Sequence, residues 1–372
     1  MVYFDNAATT FPKPACVLEE VNRCIKKYCG NPGRSSHVLS IKASEEIYSA
    51  RENVANLFNA EFPEGVVFTY NATYSLNLAL KVYAKENCHI LTTDIEHNAT
   101  IRPLESLKSK KQITYTCVPI ESFNTTKIAP FLTENTLGIV ANISSNVCGY
   151  KISLKDLSDV ASKYNLFLIV DASQAAGHIE INLKDTPCDV ICAPGHKSLF
   201  GIQGCGFAIF SENSRKDSFI EGGSGSDSEN SVMPLLLPEG YEAGTLGTPS
   251  IVSLGKGINY INSIGIENIQ KKLSTLVDRA YDVLSSFSKI EIYPKSSSLL
   301  SFNYGNIPSG VISSELDKLG ICTRAGLHCA PLAHRKLGTI ENGCIRISFS
   351  YLNQLNEIDK LFTALKTINN KY

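Results

Sequence analysis

Leu137-Gly-Ile-Val-Ala-Asn-Ile143 and Phe167-Leu-Ile-Val170 are two short apolar runs, the first followed by Ser144-Ser-Asn146 and the second stopping at Asp171. Between them, Ser153-Leu-Lys-Asp156 has the form of a capping box at a helix start. Leu154, Leu157, Val160, Ala161 and Tyr164 then recur at helical spacing on one face. Strand, helix, strand at this length is a βαβ unit, and strands apolar on both faces belong to a parallel sheet covered by helices. The fold class read from this stretch is α/β.

Working outward, Gly65-Val-Val-Phe-Thr-Tyr70 reads as another strand, followed by Asn71-Ala-Thr73 and a helical run through Leu76, Leu80 and Tyr83. Asp189-Val-Ile-Cys-Ala193 leads into Pro194-Gly-His-Lys197, and Gly206-Phe-Ala-Ile-Phe210 is the expected antiparallel return. The Gly-, Ser- and acid-rich segment from Glu221 to Asn230 is expected to be a mobile loop. Helical patterning resumes near Ile251, and the chain from about 285 onward mixes strands and helices. The expected division is a large α/β domain over 15–255, with a smaller α+β domain formed by 1–14 and 256–372.

At 372 residues, 43% hydrophobic and 19% charged, the chain has the composition of a globular protein with a substantial core. A formal net charge of −1 and a pI of about 6.7 come with no Lys/Arg cluster interleaved with aromatics, so no nucleic-acid partner is expected. Met1-Val-Tyr-Phe-Asp-Asn6 has neither a basic nor an apolar leader character, and the longest apolar runs are strand-sized. No secretory leader and no membrane span are expected, and the expected location is cytoplasmic. The 12 cysteines include no Cys-x-x-Cys pair and match neither zinc nor iron–sulfur spacing. They are expected to be mostly small buried groups, with no metal site.

In open α/β sheets, ligands bind beyond the carboxyl ends of the strands. Thr73, Asn146, Asp171 with Gln174, and His196 with Lys197 all fall at that edge. Asp171 reads either as a turn or helix-cap residue, or as a buried carboxylate facing a cationic heterocycle. A pyridinium fits the second reading, because protonation makes pyridoxal phosphate (PLP) an electron sink. Lys197, in Gly195-His-Lys-Ser-Leu-Phe-Gly201, is either a solvated surface group or a partly buried amine of depressed pKa that attacks an aldehyde. His97, in Asp94-Ile-Glu-His-Asn98, is a polar loop residue or a flat ring that stacks on a cofactor and moves protons. Thr73, at a helix start, offers a hydroxyl and an N–H to a phosphate. Gly201-Ile-Gln-Gly204-Cys-Gly206 lacks the spacing of a dinucleotide fingerprint, so nicotinamide chemistry is not expected.

Eight ordered stretches carry a family likeness: Tyr3-Phe-Asp-Asn-Ala-Ala-Thr-Thr10, Asn31-Pro-Gly-Arg-Ser-Ser-His37, Glu96-His97, Val170-Asp-Ala-Ser-Gln174, Gly195-His-Lys197, Glu242-Ala-Gly-Thr245, Arg324-Ala-Gly-Leu-His-Cys329 and Arg346-Ile-Ser348. Through them almost the whole chain resembles the cysteine desulfurases, in the class V aminotransferase group of fold-type I PLP enzymes. The resemblance implies Lys197 as the Schiff-base lysine, Asp171 on the pyridine nitrogen, Gln174 on the phenolic oxygen and His97 stacked on the ring. It implies Thr73 and His196 on the phosphate, with Thr245 reaching the phosphate of the partner subunit in a homodimer. Cys329 becomes the nucleophile that accepts sulfur as a persulfide, in a short Arg-x-Gly-x-x-Cys-Ala context that resembles the group II desulfurases. His328 and Arg324 are expected as cationic neighbours favouring its thiolate. Arg346 is the expected clamp on the substrate carboxylate, a task suited to its planar fork, with Asn146 assisting and Arg324 beside it. Two departures stand out: Pro194 and Ala72 occupy positions where the relatives usually carry hydroxyls on the phosphate. Backbone N–H groups are expected to carry more of that grip, with a lower PLP affinity.

The implied reaction converts L-cysteine to L-alanine and leaves a persulfide on Cys329, which then passes to an acceptor protein. The alternatives are a selenocysteine lyase acting on L-selenocysteine, a cysteine-sulfinate desulfinase of the same chemistry, and a non-catalytic scaffold that retains the fold.

Overall fold

The computed structural model describes residues 1–33, 35–111, 113–212, 219–225 and 229–372. Arg34 of the Asn31–His37 stretch, and residues 226–228 of the loop expected to be mobile, lie outside the described residues.

Strand β1 (Val2–Tyr3) precedes helices α1 (Ala15–Lys27) and α2 (Val38–Leu57). A seven-stranded sheet follows, built from β2 (Val66–Thr69), β3 (His89–Thr93), β4 (Thr114–Val118), β5 (Thr136–Asn142), β6 (Phe167–Asp171), β7 (Val190–Pro194) and β8 (Gly206–Phe210). Helices α3 (Ala72–Tyr83), α4 (Asn98–Lys111) and α5 (Leu154–Tyr164) lie in its crossovers. The order is β2-β8-β7-β6-β5-β3-β4. Strands β4, β3, β5, β6 and β7 run parallel, while β8 is antiparallel to both β7 and β2. The expected return through Gly206–Phe210 is therefore present. Gly65 closes a short 3-10 turn ahead of β2 instead of opening the strand. A Cβ there would meet the Phe210 carbonyl oxygen at 2.6 Å.

The deciding unit forms as its pattern requires. Ser153 caps α5 by accepting from the Asp156 N–H, and Asn165, left-handed at φ 52°, ends it. Leu157, Val160 and Ala161 are buried beneath it, each large apolar side chain contributing about 1.5–3 kcal/mol of burial. All five residues of β6 are buried. Gly138 faces Phe167 across the β5–β6 pair, and a Cβ there would meet the Phe167 ring at 2.2 Å. The missing side chain is what lets that ring pack.

After α6 (Thr248–Ile264) and α7 (Ile266–Ser285), strands β9 (Ile290–Ile292) and β10 (Leu299–Tyr304) lead into α8 (Ser309–Lys318), β11 (Ile321–Cys322), β12 (Arg324–Gly326), α9 (Pro331–Leu337), β13 (Cys344–Ser348) and α10 (Leu355–Lys371). The second sheet has the order β12-β13-β10-β9 and is antiparallel, while β1 pairs in parallel with β11. One buried cluster runs through both sheets, joining Leu168, Val170 and Ile191 to Phe302, Ile345 and Ile347. Among the described residues no helix is long and apolar enough to cross a membrane. Of the cysteines, Cys24, Cys88, Cys148, Cys192, Cys205 and Cys344 are buried, whereas Cys29 and Cys329 are exposed.

Candidate active site

A cavity of about 250 Å³ opens at the carboxyl edge of the seven-stranded sheet. Thr73, His97, Asn146, Asp171, Gln174, His196, Lys197, Arg324, Cys329 and Arg346 all line it. Of the residues expected at the site, Thr245 alone does not: it is exposed and lines a separate pocket with Tyr70 and Tyr74. Its neighbour Glu242 is buried in a two-point pair with Arg51, both contacts at 2.9 Å, and accepts from the Phe68 N–H at 2.6 Å. Glu242 is thereby fixed to β2.

Lys197 follows β7 in a tight turn. Gly201 donates to the Gly195 carbonyl at 2.9 Å and Phe200 to the Lys197 carbonyl at 3.0 Å. The N-terminal segment holds the same turn, with Thr10 Oγ1 donating to the Lys197 carbonyl at 2.6 Å and Lys13 Nζ to the His196 carbonyl at 2.7 Å. Burial pulls the Lys197 amine down to about 8; Asp171 opposes this, and Arg346 and Arg324 reinforce it. Asp171 is 2% exposed, and its Oδ1 accepts from the Ser173 N–H at 2.8 Å. It is both a turn cap and a buried carboxylate, so the two sequence readings describe one residue. His97 Nδ1 accepts from the Ala99 N–H at 3.0 Å, and burial holds the ring's pKa near 4. The neutral ring then carries its proton on Nε2.

At the opposite wall, Thr73 is in the first turn of α3, behind the Asn71 cap, where backbone N–H groups lack helical acceptors. His196 is neutral, its pKa pulled to about 4 by burial and then by Lys197 and Lys13. Its Nδ1 is buried with no partner. Gln174 Nε2 donates to the Ala7 carbonyl at 2.9 Å. Pro194 and Ala72 line the cavity where hydroxyls were noted as missing.

The second sheet contributes Arg346, 1% exposed, paired in register with Arg324 on the adjacent strand. Its Nη2 donates to Asp5 Oδ1 at 2.6 Å and its Nη1 to the Asn146 carbonyl at 2.9 Å, while Nε is buried without a partner. Asp5 was not singled out from the sequence. It lies in the quoted Tyr3–Thr10 stretch, but no local spacing links it to a residue 341 positions away. Asn146, expected to assist the carboxylate clamp, gives its Nδ2 to the His328 carbonyl at 2.7 Å.

His328 corrects the expected electrostatics. It is 3% exposed, and burial, with Arg346 adding, drives its pKa to about 2. The ring is neutral, so His328 is not the cationic neighbour of Cys329 that the sequence suggested. A second omission is Glu96, fully buried, which accepts from the Thr93 hydroxyl at 2.6 Å and the Asn142 N–H at 2.7 Å. Burial raises its pKa to about 7, with Asp171 adding. Its place before His97 was the available signal.

These groups fit the cofactor that the resemblance implies. The cavity offers an amine for an aldehyde, a buried carboxylate for a ring nitrogen, and an orphaned imidazole nitrogen beside a helix N-terminus for a phosphate.

Residues 2–361 match the family model described as "Aminotransferase class-V". A "Probable cysteine desulfurase" of Methanothermobacter thermautotrophicus is 30% identical over 99% of this chain and 94% of that protein. A protein of the same description from Pyrococcus abyssi is 31% identical over 99% of this chain and 94% of its own length. The apo structure of a cysteine desulfurase from Thermococcus onnurineus NA1 superposes with a TM-score of 0.87 at 27% identity, covering 100% of this chain and 95% of that one. The fold is thus the one expected from the sequence, and the chain belongs to the class-V aminotransferase family.

Proposed function

We propose that this chain is a PLP-dependent cysteine desulfurase that converts L-cysteine to L-alanine and collects the sulfur as a persulfide on Cys329. The observation that carries the reading is that Lys197 and Asp171 share one cavity with Arg346 and Cys329. A lysine–carboxylate pair alone would suit many reactions at an α-carbon. An arginine fork and an exposed thiol beside it suit an amino acid whose side-chain sulfur is to be taken.

In this reading Lys197 would hold PLP through its aldehyde carbon and Asp171 through the ring nitrogen, with Gln174 serving the phenolic oxygen, His97 the ring face, and Thr73 and His196 the phosphate. When bound, PLP supplies an electron sink for negative charge at the substrate α-carbon. Arg346 keeps the substrate carboxylate oriented, Asp5 limits how much uncompensated charge its burial entails, and Asn146 and Arg324 flank it. Lys197 Nζ, whose pKa is lowered to about 8, takes the α-proton as a base poised near working pH. Cys329 Sγ attacks the substrate sulfur, and the carbon–sulfur bond breaks as the sulfur–sulfur bond forms. His97 Nε2 returns a proton on the way to alanine.

The same reading divides the chain into a large domain over 15–255 and a small one formed by 1–14 and 256–372. It has two copies assembling, the exposed Thr245 of each serving the phosphate site of the other, in the cytoplasm, with a separate protein receiving the sulfur. The test compares L-cysteine turnover by wild type and Cys329→Ala. Wild type should yield alanine and one bound sulfane sulfur per chain, and Cys329→Ala should lose both while keeping the colour of the bound cofactor. Alanine formation from L-cysteine at the full rate by Cys329→Ala would sink the assignment. If that variant retains turnover of L-selenocysteine only, the lyase alternative gains.

A further inference from the structure

The loop that carries Cys329 is held from behind by several contacts, and the buried histidines among them have no part in the proposed reaction. His328 and Cys329 both lie in the left-handed region, at φ 50° and 56°, where L side chains are uncommon. Such a pair persists only where its surroundings over-determine it. Three of the anchors are at the backbone. Ala330 donates its N–H to the Leu327 carbonyl at 2.8 Å and Asn98 to the Cys329 carbonyl at 2.7 Å, while Asn146 Nδ2 donates to the His328 carbonyl at 2.7 Å. The fourth is the buried His328 ring.

The partners fix the tautomers. The Arg324 carbonyl can only accept, so His328 Nε2 is the donor across 3.3 Å. Because the ring is neutral, Nδ1 bears a lone pair, and the proton in the 3.3 Å contact with His334 Nε2 belongs to His334. His334, fully buried, then accepts at Nδ1 from the Thr339 hydroxyl at 2.7 Å. Every nitrogen of the two rings is matched.

The ligand atoms of His328, His334 and Cys344 also lie within 4.8 Å of one another, which raises a metal site as a competing reading. Ring geometry separates the two. The planes differ by 8° and the ring centres are 5.5 Å apart, while the facing nitrogens are 3.3 Å apart. The rings therefore meet edge to edge in nearly one plane, nitrogen toward nitrogen, along the line of an N–H···N bond. Two lone pairs serving a tetrahedral ion would instead bend toward a common third point.

We propose that His334 is a positioning residue for the sulfur-accepting thiol: by donating to His328 it locks the left-handed 328–329 pair and fixes where Cys329 Sγ stands. This rests on Cys329 being the sulfur acceptor. Without the His334 N–H, the buried His328 Nδ1 keeps only a long 4.0 Å contact with the Cys344 thiol, a weak donor that does not replace an N–H. Turning the ring outward to find one releases the strained pair, and Cys329 moves with it. Misplacement of an attacking atom by about 1 Å costs roughly 100-fold in rate, whereas Lys197 and Asp171 keep their places.

The test uses the PLP-loaded enzyme. His334→Leu keeps apolar bulk and removes the donor; His334→Gln keeps an N–H at the Nε2 position. His334→Leu should lower kcat for alanine formation from L-cysteine by roughly 100-fold with KM unchanged. Solvent-deuterium exchange at the α-carbon of L-alanine should be unaffected, and His334→Gln should recover most of the loss. Wild-type kcat in His334→Leu, a parallel fall in exchange, or a His334→Gln variant no better than His334→Leu each overturns the proposal. Full alanine formation by Cys329→Ala defeats the activity reading, and this proposal with it; a normal Cys329→Ala defect with an active His334→Leu defeats this proposal alone. If His334→Leu does not fold, 15N shifts of the wild-type histidines decide. Nε2–H on both His328 and His334 supports the relay, and Nδ1–H on either ring overturns it.

Discussion

On the seven-stranded sheet the polar groups of the cavity stand at strand ends: Asn142 closes β5, Asp171 closes β6, and Lys197 follows β7. On the four-stranded sheet Arg346 is the central residue of β13, and Cys329 leaves β12 through two left-handed residues. A strand end delivers a polar side chain to the sheet edge without burying it in the core, and its turn supplies backbone partners such as the Ser173 N–H for Asp171. A mid-strand arginine needs a counterion from elsewhere, here Asp5, and a thiol on left-handed backbone needs external anchors. The first region is placed by local chain geometry and braced by the N-terminal segment, whereas the second depends on contacts distant in sequence for its charge balance and backbone conformation. Damage to the second should therefore spread through partners, whereas damage to the first should stay where it is made.

The largest expected effect is on the first side of this comparison. Lys197→Ala should lower alanine formation by roughly 10⁴-fold and abolish the visible absorbance of the bound cofactor, with little change in melting temperature. A variant with substantial turnover would remove the strand edge from the chemistry. Next, Arg346→Lys keeps the charge but cannot reach Asp5, the Asn146 carbonyl and a substrate carboxylate together. A rise in KM for L-cysteine of about 100-fold is expected, with cofactor absorbance retained. An unchanged KM would show that the second sheet does not read the carboxylate.

Glu96 tests whether the strand edge is electrostatically strained. Its pKa is raised to about 7 from the ordinary carboxylate value, so the folded state holds its proton more tightly than the unfolded chain does. The stability this provides is present below the ordinary carboxylate pKa and is lost as pH rises through about 7. Glu96→Gln keeps an acceptor for Thr93 and Asn142 and removes the titration. At pH 8 it should be more stable than wild type by on the order of 3 kcal/mol, with the gain vanishing near pH 4; urea midpoints against pH would measure it. A gain at both pH values would place the cause in packing. The smallest effect belongs to the unit that decided the fold: Ser153→Ala should cost about 1 kcal/mol through loss of the α5 cap and leave turnover unchanged. A change in turnover would mean that α5 is coupled to the cavity.

Most of the first region was legible in the sequence. The apolar runs before Asp171 and Pro194-Gly-His-Lys197 mark strand ends directly, and the edge of a parallel sheet is where such ends converge. Asp171 shows how two readings that compete on paper can be satisfied together, as a turn cap and a buried carboxylate. The second region was legible only through likeness to a family. Cys329 and Arg346 could be named, but the state of their neighbours could not. His328 looks cationic as a letter next to a cysteine, and burial makes it neutral. Asn146 looks free for a ligand, and its amide holds the cysteine loop. Asp5, Glu96 and His334 gave no periodic signal, because their partners are set by how segments cross rather than by spacing.

By itself the sequence determined the α/β class, the order of strands and helices around Leu137–Asp171, and the lysine, carboxylate and thiol that the chemistry would use. The class, the element order, the lysine and the carboxylate follow from local alternation, caps and turn residues, which act over a few positions; the thiol followed from likeness to the family. Only the tertiary structure decided which charges survive burial, which donors are already taken, and what holds Cys329 in its left-handed loop. Desolvation and hydrogen-bond satisfaction depend on every group that packs around a site, and those groups come from both ends of the chain.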